Sequence, residues 1–176
     1  LGVSMLDRAI ESLGAAGVRD VAVVTGYRAD MIEAKGLQTR HNPLFESTNM
    51  VHSLFCAEDL MTNDDLLVVY GDIVFHPRLV TALLNDDAAM SLAVNTQWRS
   101  LWEQRMDDPL CDAETLKLDS RGNVIELGKR PTSYDDVQGQ FTGLIRIGRD
   151  HLAAVKRFYS GMDRSADYDG KTIPNM

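Results

Sequence analysis

The chain has 176 residues, and 18 Lys and Arg against 26 Asp and Glu leave a formal charge of −8. That is one domain's length, and 44% hydrophobic with 25% charged residues is enough apolar material for a core, which excludes disorder, collagen and coiled coil. No apolar run approaches the ~18 residues of a membrane span, no basic stretch leads into an apolar one, and no basic block offers a surface to nucleic acid or anionic lipid.

From the N-terminus, Met5, Leu6, Ala9, Ile10 and Leu13 recur at helical spacing. They predict a helix over 5–16, capped by Ser4 and stopped by Gly17. Residues 18–25 read as a strand whose apolar run from Val21 to Val24 suits burial on both faces. A short helix over 28–33, a short strand over 37–41 and a turn at Asn42-Pro43 follow. After the polar run Glu46 to Asn49, the spacing of Val51, Leu54, Phe55 and Leu60 predicts a helix over 50–60. The strongest strand spans 65–75 and is interrupted by Gly71-Asp72, after which Pro77 opens a helix to Leu84.

Further strands are predicted over 88–94 and 141–147, a hairpin over 115–118 and 124–127 around Ser120-Arg121-Gly122-Asn123, and a helix over 151–159. Strand and helix alternate through the first half. The expected fold is therefore α/β, a Rossmann-like mixed, mostly parallel sheet flanked by helices, in a single domain over 1–176.

In such sheets ligands bind beyond the carboxyl ends of the strands. Two polar clusters sit there, Thr25-Gly26-Tyr27-Arg28 and Tyr70-Gly71-Asp72-Ile73. A carboxylate placed directly after LLVVY is costly to bury alone, so Asp72 should be solvated, paired or bound to a cation. Mg2+ suits it, since that ion keeps several waters and takes one or two carboxylates plus substrate phosphates. The plainer alternative is an Asp that caps the helix at Pro77 or its adjoining loop.

The segment Asn42 to Leu54 offers hydroxyls, amides and backbone N–H groups that could hold a phosphate or a base edge, or simply cap the helix. Trp98 and Trp102 share a helix face and read either as one wall of a cage for an ammonium group or as core. Lys129 and Arg130 put two cations beside a turn, able to meet an acidic substrate or to solvate a loop. His41, His52, His76 and His151 lack metal-ligand spacing and read as surface or packing residues. Cys56 and Cys111 have no CxxC context and read as plain thiols of a reducing compartment, hence a soluble cytoplasmic protein.

These residues together resemble the nucleotidyltransferase superfamily, which joins a nucleoside triphosphate to a phosphorylated sugar or alcohol. MLDRAIESLGAAGVRDVAVVTGYRADMIE resembles the segment after that family's N-terminal glycine-rich loop. NPLFESTNMVHSLFCA resembles the branch containing phosphocholine and aminoethylphosphonate cytidylyltransferases. LLVVYGDIVF is similar to the metal-binding strand, and IELGKRP followed by GQFTGLIRI to the acceptor half.

The resemblance implies a nucleotide-diphospho-sugar transferase type of fold and an enzyme that uses Mg2+. It implies that Asp72 binds the metal, that Gly71 lets the nucleotide approach, and that Thr48, Asn49 and Ser53 lie around base and ribose. Lys129 would hold the acceptor phosphate, Glu126, Thr142 and Gly143 would line the acceptor pocket, and aromatics near Trp98 would face an ammonium. The partners implied are an NTP, CTP before the others, and a small phosphorylated alcohol, phosphonate or sugar phosphate, with pyrophosphate released. Neither a nucleic acid polymer nor membrane insertion is implied, and a homo-oligomer is admitted.

The family's glycine-rich loop and its second metal-binding Asp have no counterpart in the sequence, and Asp167 and Asp169 are not in the matching context. The chain also opens at Leu1, so it is expected to be the middle of a larger enzyme, truncated at both ends and poor at binding nucleotide by itself. The alternative is a non-catalytic nucleotide-binding or regulatory domain of the same fold. A receiver-like domain with Asp72 as phospho-acceptor is disfavoured, because VAVVTGYR carries no acidic pair.

Overall fold

A computed structural model describes residues 2–163, 167–168 and 171–172. The chain forms two compact units, residues 1–91 with 146–176, and residues 92–145. Helices and strands alternate as an α/β protein, with a parallel pair and antiparallel pairs among its strands.

In the first unit, α1 (Met5–Ala15) begins where Ser4 Oγ accepts the Asp7 N–H at 3.1 Å, and it buries Ala9 and Leu13. Gly17 takes a φ of 89°, which turns the chain out of the helix without strain. β1 (Ala22–Thr25) pairs in parallel with β2 (Gln38–His41) through the crossover helix α2 (Ala29–Glu33). Burial of β1 on both faces does not occur: Ala22 is exposed and only Thr25 is buried. Among the described residues β1 hydrogen-bonds to β2 alone, in a two-stranded sheet.

The helix expected over 50–60 breaks in two. α3 (Met50–Phe55) ends, and a separate 3-10 turn covers Glu58–Leu60. Here tertiary contacts override periodicity. Phe55 stacks on Tyr159 with ring centroids 3.7 Å apart, and the Lys156 ammonium donates to the carbonyls of Glu58 and Met61 at 3.2 and 2.8 Å. Phe55, Met61 and Tyr159 form a buried cluster, with Leu54, Leu66, Val155 and Met162 packed around it.

The strand expected over 65–75 is shorter. β3 (Leu66–Val69) stops before Tyr70, and the chain beyond Gly71-Asp72 runs irregularly into α4 (Pro77–Leu84). Proline stands at the first helical position of α4, where its missing N–H costs nothing. His76, rather than Asp72, caps this helix, its Nδ1 accepting the Arg78 N–H at 3.1 Å. α1 lies against α4, and Ser12 Oγ donates to the Phe75 carbonyl at 3.0 Å. α6 (Leu152–Ser160) follows a 3-10 turn at Arg149–His151 and presents Leu152 and Tyr159 to the interior.

β3, β7 (Gln140–Ile147) and β4 (Met90–Asn95) form a three-stranded sheet in that order. At the first unit's end of β7, the Arg146 guanidinium reaches Asp65 at 2.6 Å and the Ala88 carbonyl at 2.7 Å. Asp65 also accepts the Arg149 N–H, and these bonds hold its carboxyl below the usual carboxylate value.

The second unit contains α5 (Trp98–Trp102), a 3-10 turn at Pro109–Cys111 and the expected hairpin, β5 (Leu116–Leu118) against β6 (Val124–Leu127). Asp119 makes the hairpin turn, accepting the N–H groups of Arg121 and Asn123, while Gly122 adopts a φ of 83°. Trp98, Ala113 and Val137 form its buried cluster. The two-residue strands β8 (Asp167–Tyr168) and β9 (Lys171–Thr172) pair antiparallel. Among the described residues no helix is long and apolar enough to cross a membrane.

Candidate functional site

In the first unit, the chain leaving β1 meets the loop at 42–49. The Asn42 N–H donates to the Thr25 carbonyl at 2.8 Å. Asn42 is 1% exposed and organises the loop. Its Nδ2 donates to Thr48 Oγ1 at 2.9 Å and to Ser53 Oγ at 3.0 Å, and its Oδ1 accepts the Leu44 N–H at 2.9 Å. Thr48 Oγ1 in turn donates to the Leu44 carbonyl, and Asn49 caps α3 by accepting the His52 N–H. Thr48, Asn49 and Ser53 are thus held in one polar knot. Its centre is Asn42, a residue whose sequence context marks only a turn. An Asn-Pro pair a few residues before Ser47-Thr48-Asn49 is the signal that points to it.

The second strand end joins this knot, because the Tyr70 hydroxyl donates to the sulfur of Met50, the first residue of α3, at 2.5 Å. Gly71 and Asp72 follow directly. A side chain at Gly71 would meet no protein atom within 4 Å. Asp72 is exposed, and among the described residues its carboxylate makes no hydrogen bond or ion pair. Buried beneath, His52 Nδ1 lies 2.9 Å from the Tyr159 hydroxyl, so this histidine packs rather than presenting itself to a ligand.

No three His, Cys, Asp or Glu side chains converge to hold a metal among the described residues. Asp72 fits a different mode: a solvated single carboxylate with free lone pairs suits an ion whose other ligands are water and substrate phosphates. Asp169 lies outside the described residues.

In the second unit, the hairpin register sets Lys117 opposite Glu126. Glu126 Oε2 takes the Lys129 ammonium at 2.7 Å, while its Oε1 lies 3.5 Å from the Lys117 ammonium. Lys117 also contacts Asp136 at 2.8 Å. Asp136 closes the capping box of Ser133 and accepts from the Thr132 N–H and hydroxyl, both at 3.0 Å. Lys117 and the N–H and hydroxyl groups of Thr132 hold the Asp136 carboxyl far below its usual value, Lys129 lowers that of Glu126, and Asp136 raises that of Lys117. Neither Asp136 nor Lys117 stands out in the sequence, and a regular hairpin over 115–118 and 124–127 would set Lys117 opposite Ile125; a register shift between Lys117 and Leu118 brings it opposite Glu126.

Thr142 Oγ1 donates to the Ala93 carbonyl at 2.9 Å, and buried Gly143 holds a φ of 86° within β7, where a side chain would be strained. Trp98 is 3% exposed, and its indole N–H donates to the Val137 carbonyl at 3.2 Å. Its surroundings are those of a core residue, with Trp102 and Tyr134 at centroid distances of 6.1 and 6.2 Å. The cations that meet aromatic faces here belong to the chain itself: the Arg99 guanidinium lies 3.9 Å from the Tyr134 ring centre and that of Arg105 5.5 Å from the Trp102 ring centre.

The profile of the MobA-like NTP transferase domain matches residues 1–120. The chain is 37% identical over 182 aligned positions to the CTP:phosphoglutamine cytidylyltransferase of Campylobacter jejuni, which covers 98% of this chain and 72% of that protein. Among solved structures it is similar to an inositol-1-phosphate CTP transferase from T. maritima, at 20% identity and a TM-score of 0.64 over 90% of this chain and 63% of that one. A Bacillus anthracis structure assigned as a glucose-1-phosphate thymidylyltransferase gives a TM-score of 0.63 at 18% identity, over 89% and 64% of the two chains. At these identities the two structures speak for the fold, and the chain spans less than two thirds of either.

Proposed function

The chain belongs to the MobA-like NTP transferase domain family, and on that premise we propose that the protein is a cytidylyltransferase acting on a small phosphorylated acceptor. The observation that carries this reading is the 37% identity to the C. jejuni cytidylyltransferase extending over 98% of the chain, so that it takes in the Asp72 segment and the Lys129 segment alike. Phosphoglutamine, the acceptor in that relative's name, is the first acceptor to consider. Phosphocholine and aminoethylphosphonate come next, from the motif of the 42–54 segment.

In the reaction, an oxygen of the acceptor's phosphate attacks the α-phosphorus of CTP. The new P–O bond forms as the bond to pyrophosphate breaks, and pyrophosphate leaves. Such chemistry asks mainly for position and for charge neutralisation. Mg2+, when bound, would offset phosphate charge and orient the triphosphate, and Asp72 is the residue that would hold it together with those phosphates and water. Gly71, with open space where a side chain would stand, lets the nucleotide approach the backbone. Thr48 and Ser53, fixed by Asn42, and Asn49, fixed as the cap of α3, face base and ribose.

Lys129, whose side chain is 70% exposed, takes the acceptor's phosphate, and Glu126 with Thr142 and Gly143 lines the rest of the acceptor's place. Trp98 contributes from behind, by packing Tyr134 rather than by touching the acceptor. The site of action is the cytoplasm, where CTP is available.

Pyrophosphate release by the full-length protein, screened over the four NTPs with phosphoglutamine, phosphocholine, aminoethylphosphonate and glucose 1-phosphate, tests the reading. It predicts turnover with CTP above the other three nucleotides. No turnover with any pair, or a preference for the sugar phosphate with another NTP, contradicts it.

A further inference from the structure

Resting on the reading of Lys129 as the acceptor-phosphate residue, we infer that Lys117, anchored by Asp136, is a positioning residue that keeps Glu126 charge-paired while Lys129 exchanges Glu126 for the acceptor. The observation is a line of alternating charges that runs from Asp136, in a 3-10 turn at Tyr134–Asp136, across the hairpin through Lys117 and Glu126 to Lys129 just beyond it. Its two ends differ. Asp136 is held by the Thr132 N–H and hydroxyl and by the Ser133 N–H, at 3.0, 3.0 and 3.1 Å, so that end is fixed. Lys129 has a side chain 70% exposed and only Glu126 as its ion-pair partner among the described residues, so that end is free to move.

Glu126 stands between them with its side chain 24% exposed, and it divides its oxygens: Oε2 on Lys129 at 2.7 Å, Oε1 toward Lys117 at 3.5 Å. Were Lys129 its sole partner, a departing ammonium would leave a half-shielded carboxylate unpaired, and Glu126 would compete with the acceptor's phosphate for the same cation. Lys117 removes that conflict. It already faces the second oxygen, at a distance only 0.7 Å longer than the 2.8 Å contact it makes with Asp136. The cross-strand pairing of Lys117 with Glu126 in the hairpin fixes this relation in the backbone register rather than in a loop.

Titration of the full-length protein with phosphoglutamine in the presence of CTP, together with steady-state kinetics, separates this role from a structural one. Lys117→Met is expected to raise the acceptor KM and Kd about fivefold with kcat, the KM for CTP and Tm unchanged, and Lys117→Arg to restore wild-type values. An acceptor Kd within twofold of wild type in Lys117→Met, alongside a tenfold or greater rise in Lys129→Gln, overturns the inference while leaving Lys129's role intact. A fall in kcat and Tm together in Lys117→Met, unrescued by Lys117→Arg, overturns it as well. An unchanged acceptor Kd in Lys129→Gln overturns the reading on which it rests.

Discussion

Asp65 accepts three hydrogen bonds, two from the Arg146 guanidinium and one from the Arg149 backbone. Arg146 is 8% exposed, so removal of its counter-charge strands a nearly buried cation. Asp65→Asn is expected to cost on the order of 2 kcal/mol at neutral pH. The sign of the pH dependence follows from the lowered carboxyl: the contribution of Asp65 is complete above its ordinary value of 3.8 and is lost as pH falls through the lower folded-state value. Chemical denaturation of both proteins from neutral pH down to about 2 checks this. The difference between them should close in acid, and a constant difference contradicts the pairing. Single residues of this kind are the least legible in the sequence. Asp65 and Arg146 lie 81 positions apart, and nothing local couples them. Asp72 is legible because a carboxylate directly after an apolar strand calls for a reason wherever it occurs.

At the scale of elements, the strand ending at Val69 hands the chain to Gly71 and Asp72 beside the start of α3. Gly71 has neither a left-handed backbone nor a neighbour within 4 Å of the place a Cβ would take, so the fold itself does not require glycine there. Gly71→Ala should therefore leave Tm unchanged or raise stability by about 0.4–1 kcal/mol through the unfolded chain. If the nucleotide approaches the backbone at this point, the same substitution weakens CTP binding about tenfold, as read by calorimetric titration. Unchanged CTP affinity removes Gly71 from the nucleotide's path. Local chemistry makes most elements readable: the Ser4 cap, Pro77 at the head of α4, and the turn at Ser120 to Asn123 each mark a boundary that the structure has. Among the features that sequence patterning misses, the partial burial of β1, the early end of β3 and the short length of α3, the last depends on a partner remote in sequence. Tyr159 ends the regular packing of α3 from more than a hundred residues away, beyond the reach of any periodicity.

At the scale of the molecule, the proposed reaction asks a chain of net charge −8 to receive ligands that carry several negative charges. Average charge cannot attract them, and screening confines each charge to about 8 Å at physiological salt, so in the proposed reaction the work would fall to local cations and to a metal held at Asp72. That is why net charge is silent about phosphate chemistry, whereas the order of short motifs along the chain is informative. The account turns on Asp72, exposed and unpaired among the described residues. Asp72→Asn in the full-length protein, assayed for pyrophosphate release from CTP with phosphoglutamine alongside a thermal melt, tests it most directly. The account predicts a fall in turnover of at least about 100-fold, near 3 kcal/mol in transition-state stabilisation, with Tm unchanged. Turnover within a few-fold of wild type, or a loss matched by a lowered Tm, would contradict it.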